Sequence, residues 1–136
     1  MTSWQQDWAE NKYWVMAHSQ QHYNQIRQLA KNNDWTVDKA TEFNRLLAEA
    51  EQQVPTVKTL TTAYQHIWGY FKKIATLEEK ETYLTTLAQL ASGHDQLGPF
   101  LKGLTVKYQV AYLLQSRLIR ELDDSTGFSN LTPRQS

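Results

Sequence analysis

Apolar residues recur every three or four positions along most of the chain, which is the spacing of helices with one buried face. The clearest case lies near the middle and comprises Leu60, Tyr64, Ile67, Phe71 and Ile74. This stripe predicts a helix over about 56–73. Thr76 and Glu79 follow with the spacing of a capping box, in which each side chain accepts a hydrogen bond from the other's backbone amide. A second helix is therefore expected over about 77–91, after a tight turn.

The remaining stripes and helix breakers predict helices over about 8–31, 36–52 and 99–122. Gly103 and the neighbouring β-branched residues weaken the last of these, so two helices with a bend near 103–109 fit as well as one. No strand pair is indicated. We expect an all-α fold, a single compact bundle of about five or six helices. It should span residues 1–122 and be followed by a flexible tail over 123–136.

Composition limits the classes of protein that remain. A length of 136 residues with 40% hydrophobic and 12% aromatic residues fits one folded domain and excludes a disordered chain. Fourteen basic and fourteen acidic residues cancel, so a nucleic-acid partner would need a local basic patch. Cysteine is absent, which excludes disulfides, thiolate metal sites, cysteine-bound iron–sulfur clusters and thiol nucleophiles. The start of the chain lacks signal-peptide features, and no apolar run could span a bilayer. We therefore expect a cytoplasmic protein without membrane partners.

Histidines are the first candidates for chemistry. His18 and His22 are one helical turn apart and, with His66, would supply three ligands for a metal ion. No thiolate or carboxylate accompanies them, and His22 falls within an apolar stripe. A buried histidine with satisfied nitrogens, beside a boundary histidine, explains the spacing better. We expect no bound metal, no cofactor and no catalytic residue, although a small metal-dependent or small-molecule enzyme remains an alternative.

The segment 65–73 carries a second candidate site. His66, Tyr70 and Lys73 lie on a different helix face from the apolar stripe, and Gly69 lies beside them. A glycine inside a helix costs about 1 kcal/mol relative to alanine, so we expect some group to approach its backbone closely there. Histidine, tyrosine and lysine together can stack on a base and contact a phosphate. A helix-packing glycine with solvated polar neighbours is the alternative explanation.

Basic residues and tyrosines also alternate through the C-terminal half. These residues are Lys72, Lys73, Lys102, Lys107, Arg117 and Arg120, with Tyr70, Tyr108 and Tyr112. They could form an anion-binding surface despite the zero net charge. Mixed charge on solvated helix faces is the commoner explanation of such a pattern. There is no glycine-rich phosphate loop, nucleophile elbow or zinc-finger spacing.

Three segments together resemble the YbgA-like domain family. They are KYWVMAHS at 12–19, QHIWGYFKK at 65–73 and YLLQ at 112–115, and the resemblance covers about residues 10–120. Gly103 stands where the family usually has a histidine, and the usual proline after Tyr108 is missing. The family has no established function. In relatives the domain is fused behind a thiouracil-desulfidase-like iron–sulfur domain that removes sulfur from thiolated uracil or from 4-thiouridine in tRNA.

The resemblance implies an accessory, RNA-facing role. We predict a non-catalytic domain that binds tRNA or another structured RNA and acts with a separate iron–sulfur desulfidase-like protein. A helical protein-interaction module is the remaining alternative. Five of the binding residues, His18, His66, Tyr70, Lys73 and Lys102, should converge on one partly exposed concave surface. The full predicted set is His18, Tyr23, His66, Gly69, Tyr70, Lys72, Lys73, Lys102, Lys107 and Gln115.

Overall fold

Helices form all the regular structure in the computed structural model, which describes residues 4–32 and 34–122; one isolated bridge joins Ala91 and His94. The all-α prediction is confirmed. Within the described residues the elements are α1 Trp4–His18, α2 Gln20–Leu29, α3 Val37–Glu51, α4 Val57–Trp68, α5 Leu77–Ala88, α6 Leu97–Lys107, α7 Ala111–Leu114 and α8 Arg117–Glu121. The tail predicted over 123–136 lies outside them.

Ser19 divides the first predicted helix into two. Its backbone is extended, with φ −161° and ψ 114°, and its hydroxyl accepts a hydrogen bond from the His22 amide at 3.2 Å. Serine is a favoured helix N-cap because its short side chain satisfies an amide that has no partner within the helix. The stripe expected over 8–31 therefore belongs to two helices, although Val15, Tyr23 and Ile26 are all buried as predicted.

The last predicted helix, over about 99–122, is also divided into shorter helices. The α6 helix ends at Lys107, and Gln109 has a positive φ of 51°. The chain therefore bends within the predicted interval, and two short helices follow. These breaks explain why the described residues contain eight helices instead of the five or six expected.

The two predicted central helices are present but shorter, and the eight residues 69–76 join them where a tight turn was expected. The Thr76 amide donates to the Glu79 carboxylate at 2.9 Å, and the Glu79 amide donates to the Thr76 hydroxyl at 3.1 Å. Within the α4 stripe, Phe71 is fully buried, but Ile74 is 54% exposed. The stripe ends early because regular helix stops at Trp68 and the chain continues in turns.

The core forms where α1 packs most extensively on α4 and where α6 covers α4 from another side. At this second interface the buried Tyr64 hydroxyl donates to the Asp95 carboxylate at 2.5 Å. A Cβ at Gly98 would lie only 2.6 Å from that hydroxyl, so this close approach needs glycine. None of the described helices combines the length and the apolar character needed to cross a membrane.

Candidate functional site

Three tyrosine rings from distant parts of the sequence meet at the surface. Tyr13 comes from α1, Tyr70 from the turn after α4 and Tyr112 from α7; we call them the tyrosine platform. The rings of Tyr70 and Tyr112 are nearly parallel, with centroids 6.0 Å apart and planes inclined by 18°. Tyr13 meets both rings edge to face, at 6.3 Å and 6.5 Å. The platform thus consists of a near-parallel pair resting on a third ring.

The three tyrosines of this platform differ in how deeply they are buried. Tyr13 is only 6% exposed, whereas Tyr70 and Tyr112 are 38% and 40% exposed. The hydroxyls of Tyr13 and Tyr70 lie 2.9 Å apart and share a hydrogen bond in which either can donate. Tyr13 therefore anchors the platform in the core, while the other two rings face solvent.

Two of the platform phenols, those of Tyr13 and Tyr112, have raised pKa values and stay protonated at neutral pH. Burial, followed by the hydrogen bond with Tyr70, raises the pKa of Tyr13. Burial also raises the pKa of Tyr112, with smaller contributions from the nearby Tyr70 and Tyr23 phenols. A neutral phenol can both donate and accept a hydrogen bond. The surface consequently offers rings and neutral polar groups together.

Several predicted site residues gather around the platform. The ring of the exposed His66 lies 6.4 Å from that of Tyr13, and Tyr23 interacts electrostatically with Tyr13 and Tyr112. The structure therefore brings Tyr23, His66 and Tyr70 together. Sequence reasoning left Tyr13 and Tyr112 out of the predicted set. The available signal was that both lie in the segments that carry the family resemblance.

Lys72 and Lys73 follow Tyr70 directly in the turn after α4. Both are exposed, and neither ammonium group has an ion pair or hydrogen bond with the residues that the structure describes. The chain therefore places two uncompensated ammonium groups immediately after a platform ring.

Gly69 is not used for close packing between the described helices. It ends α4 with φ −54° and ψ −24°, a conformation open to any residue. Among the described atoms, a Cβ there would approach only the carbonyl oxygens of Gln65 and His66, within its own helix. No neighbouring helix or loop among the described residues therefore requires glycine here, and close approach by a ligand stays a prediction.

Three other predicted residues contact different neighbours. The His18 ring packs on Trp14 at 4.3 Å, and its Nδ1 atom lies 2.8 Å from the Gln53 carbonyl oxygen. Lys102 donates to the Leu122 carbonyl oxygen just beyond α8. Gln115 is exposed at the end of α7. These interactions do not involve the tyrosine platform.

Lys107 belongs to a structural cluster centred on Glu79. Its Nζ atom and the Tyr108 hydroxyl each lie 2.5 Å from a Glu79 carboxylate oxygen. Burial raises the pKa of Glu79, but the hydrogen bonds from Lys107, Tyr108 and the Thr76 amide outweigh it and lower that pKa to about 2. The ammonium group of Lys107 thus joins the end of α6 to the start of α5.

The histidines have separate partners. His22 Nδ1 lies 2.7 Å from the Ser19 hydroxyl, and its Nε2 lies 3.1 Å from the Glu49 carboxylate. This confirms a buried histidine with satisfied nitrogens. Over residues 4–32 and 34–122, no three histidine or acidic side chains are grouped to hold a metal ion.

Comparison with known proteins identifies the family. No curated protein and no solved structure matches the chain. A family model described as a protein of unknown function (DUF1722) matches residues 12–121. This range contains every member of the tyrosine platform as well as His66, Lys72 and Lys73. In agreement with the resemblance to YbgA-like domains, the chain belongs to the DUF1722 family.

Proposed function

We propose that this protein is an RNA-binding accessory domain that holds unpaired bases of tRNA or another structured RNA on the tyrosine platform. The observation that carries the proposal is the exposed, near-parallel pair of Tyr70 and Tyr112. Sequence-specific RNA recognition mostly targets single-stranded loops and ends, whose bases stack on aromatic side chains. Two adjoining rings would accept one or two such bases.

The platform is preorganised for this purpose. Tyr13 is buried and hydrogen-bonded to Tyr70, so the ring pair is supported from below before any ligand arrives. Binding then loses less conformational entropy than it would with freely rotating side chains. His66 lies beside the same support and offers ring nitrogens to a base edge.

In this proposal, individual side chains supply the positive charge that attracts RNA. The net charge of the chain is zero, so attraction to RNA must come from particular side chains. Lys72 and Lys73 are exposed and have no ion pair among the described residues. Lysine contacts to phosphate position a nucleic acid without reading its sequence. We assign that role to these two residues and a structural role to Lys107.

The proposed role is binding and presentation. Burial raises the pKa values of Tyr13 and Tyr112, so near neutral pH these two phenols would donate hydrogen bonds and would not act as general bases. In this proposal the domain works in the cytoplasm and presents RNA to a separate enzyme, such as an iron–sulfur desulfidase-like protein. The family resemblance supports that choice of partner.

Fluorescence-anisotropy titration with labelled bulk tRNA tests the proposal. Wild type should bind at low salt, and the Tyr70→Ala/Tyr112→Ala variant should bind at least about tenfold more weakly, because stacking contributes about 1–3 kcal/mol per base. Val37→Ala/Val54→Ala is the matched control, because it truncates side chains that are 83% and 82% exposed elsewhere. Its affinity should equal that of wild type.

Salt dependence tests the lysines separately. Lys72→Ala/Lys73→Ala should leave the fold intact and lower the slope of log affinity against log salt by roughly 0.7–0.9 for each phosphate that the protein no longer neutralises. Equal affinities and slopes in wild type and the double variant would indicate that RNA binds near Arg117 and Arg120 instead. Failure of wild type to bind tRNA at low salt would refute RNA binding and favour the protein-interaction module.

A further inference from the structure

A second aromatic site lies between the end of α4 and α5. Trp68 and Tyr83 stack there with ring centroids 4.2 Å apart and planes inclined by only 5°. A cavity of about 220 Å³ opens beside them, lined by Trp68, Lys72, Lys80, Tyr83 and Leu84. We call this the Trp68–Tyr83 slot. Apart from Lys72, it shares no residue with the proposed RNA interface.

One wall of the slot contains a polar group without a partner. Tyr83 is only 7% exposed, and its hydroxyl makes no hydrogen bond with any described residue. Burial alone raises the pKa of this phenol, so it stays a neutral donor. An acceptor atom on a ligand in the slot can therefore take this free donor.

The rim of the slot is cationic. Lys72 follows α4 and Lys80 lies in α5, and neither ammonium group pairs with another described residue. Leu84 is 63% exposed on the same helix as Lys80 and adds an apolar edge. The slot therefore combines an aromatic face, an apolar edge, one free donor and two cations. A planar ring that carries an anionic group complements all four features.

We propose that the Trp68–Tyr83 slot binds a single nucleotide. The base packs against Trp68, Tyr83 and Leu84, the Tyr83 hydroxyl donates to a nucleotide oxygen, and Lys72 and Lys80 contact the phosphate. The slot has a volume of about 220 Å³, which is smaller than the about 300–1,000 Å³ of pockets for drug-sized ligands. It therefore holds one base, with the phosphate at the rim. The nucleotide can be free or part of an RNA strand.

Nuclear magnetic resonance titration tests this proposal. The indole N–H signal of Trp68 is assigned by its loss in Trp68→Phe and then followed during addition of uridine 5′-monophosphate, uridine or inorganic phosphate. We expect a saturable shift with the nucleotide, weaker binding of the nucleoside and no shift with phosphate. Lys80→Ala should weaken nucleotide binding several-fold towards the affinity for uridine. Leu77→Ala on the same helix, outside the slot lining, should bind as wild type does.

A single-stranded RNA oligomer distinguishes the two sources of the nucleotide. A Trp68 shift with both the oligomer and the mononucleotide supports the RNA-strand form, and a shift with the mononucleotide alone supports the free form. The absence of a Trp68 shift with either ligand overturns the proposal, as does an equal response to inorganic phosphate. If the Trp68 shift is seen while Tyr70→Ala/Tyr112→Ala leaves tRNA binding unchanged, the platform proposal fails and the slot remains.

Discussion

Tyrosine serves two different purposes in two regions of this molecule. Tyr64 is 1% exposed, and its hydroxyl donates to Asp95, which also accepts the Gly98 amide at 2.9 Å. Tyr70 and Tyr112 lie at the surface, and among the described residues the hydroxyl of Tyr70 contacts only another phenol. A tyrosine tied to an interior carboxylate holds helices together. A tyrosine whose ring faces solvent contributes little to the stability of the fold, and its ring is available to a ligand.

The largest expected difference is between alanine substitutions in the two regions. Tyr64→Ala should lower the free energy of unfolding by about 3–5 kcal/mol, because it empties a filled core position. Tyr70→Ala should cost roughly 1–2 kcal/mol, because it removes one neutral hydrogen bond and the ring contacts with Tyr13 and Tyr112. Urea denaturation followed by circular dichroism measures both values. Similar losses in the two variants would contradict the division between structural and ligand-facing tyrosines.

A smaller effect is expected at Gly98. Gly98→Ala should cost about 1–2 kcal/mol, because overpacking outweighs the better helix propensity of alanine. The new Cβ would lie 2.6 Å from the Tyr64 hydroxyl and 2.7 Å from a Leu122 methyl carbon. Adding Tyr64→Phe makes room, so the double variant should lose less than the sum of the single losses. Strict additivity in denaturation experiments would show that the two residues do not compete for space.

Glu79 is a structural residue of a different kind, because its carboxylate is paired with the Lys107 ammonium group. Its folded-state pKa of about 2 lies below its ordinary value of 4.5, so its contribution to stability is complete above about pH 4.5 and is lost as the pH falls towards 2. Glu79→Gln should therefore be less stable than wild type at pH 7, and the difference should shrink as the pH falls from 4.5 to 2. Thermal melts across this range measure it. A difference that is constant with pH would contradict the paired carboxylate.

The smallest expected effect belongs to the platform hydroxyls. Tyr70→Phe removes one phenol–phenol hydrogen bond and should cost about 0.5–1.5 kcal/mol or less. Tyr64→Phe breaks a bond to a carboxylate and should cost about 1.5–3 kcal/mol. RNA affinity should survive Tyr70→Phe, since stacking uses the ring and not the hydroxyl. Loss of binding in this variant would assign recognition to the hydroxyl instead.

The sequence predicted those parts of the fold that depend on local spacing. The stripe through Tyr64, Ile67 and Phe71 and the Thr76–Glu79 capping box were predicted correctly because each involves residues close together in the sequence. The break at Ser19 was missed, although serine is a common N-cap. The apolar spacing continues across that break and conceals it.

The candidate site was only partly predictable because its members meet through tertiary packing. Tyr70 was found from its position off the buried stripe. Tyr112 follows Gln109, whose positive φ redirects the chain in a way that no periodicity encodes. Lys107 and Lys73 are alike in sequence, yet Lys107 finds Glu79, which is 28 positions away. Spacing alone could not separate the paired lysine from the exposed one.

The most direct test of RNA binding at the platform is to map where RNA touches the protein. Ultraviolet crosslinking of wild type to tRNA, followed by mass spectrometry of the modified peptides, identifies the contacting side chains. We expect crosslinks at Tyr70 and Tyr112 and none at the buried Tyr64, and the platform crosslinks should disappear in Tyr70→Ala/Tyr112→Ala. Crosslinks confined to the region around Arg117 and Arg120, or their absence under conditions in which tRNA binds, would contradict the platform as the RNA interface.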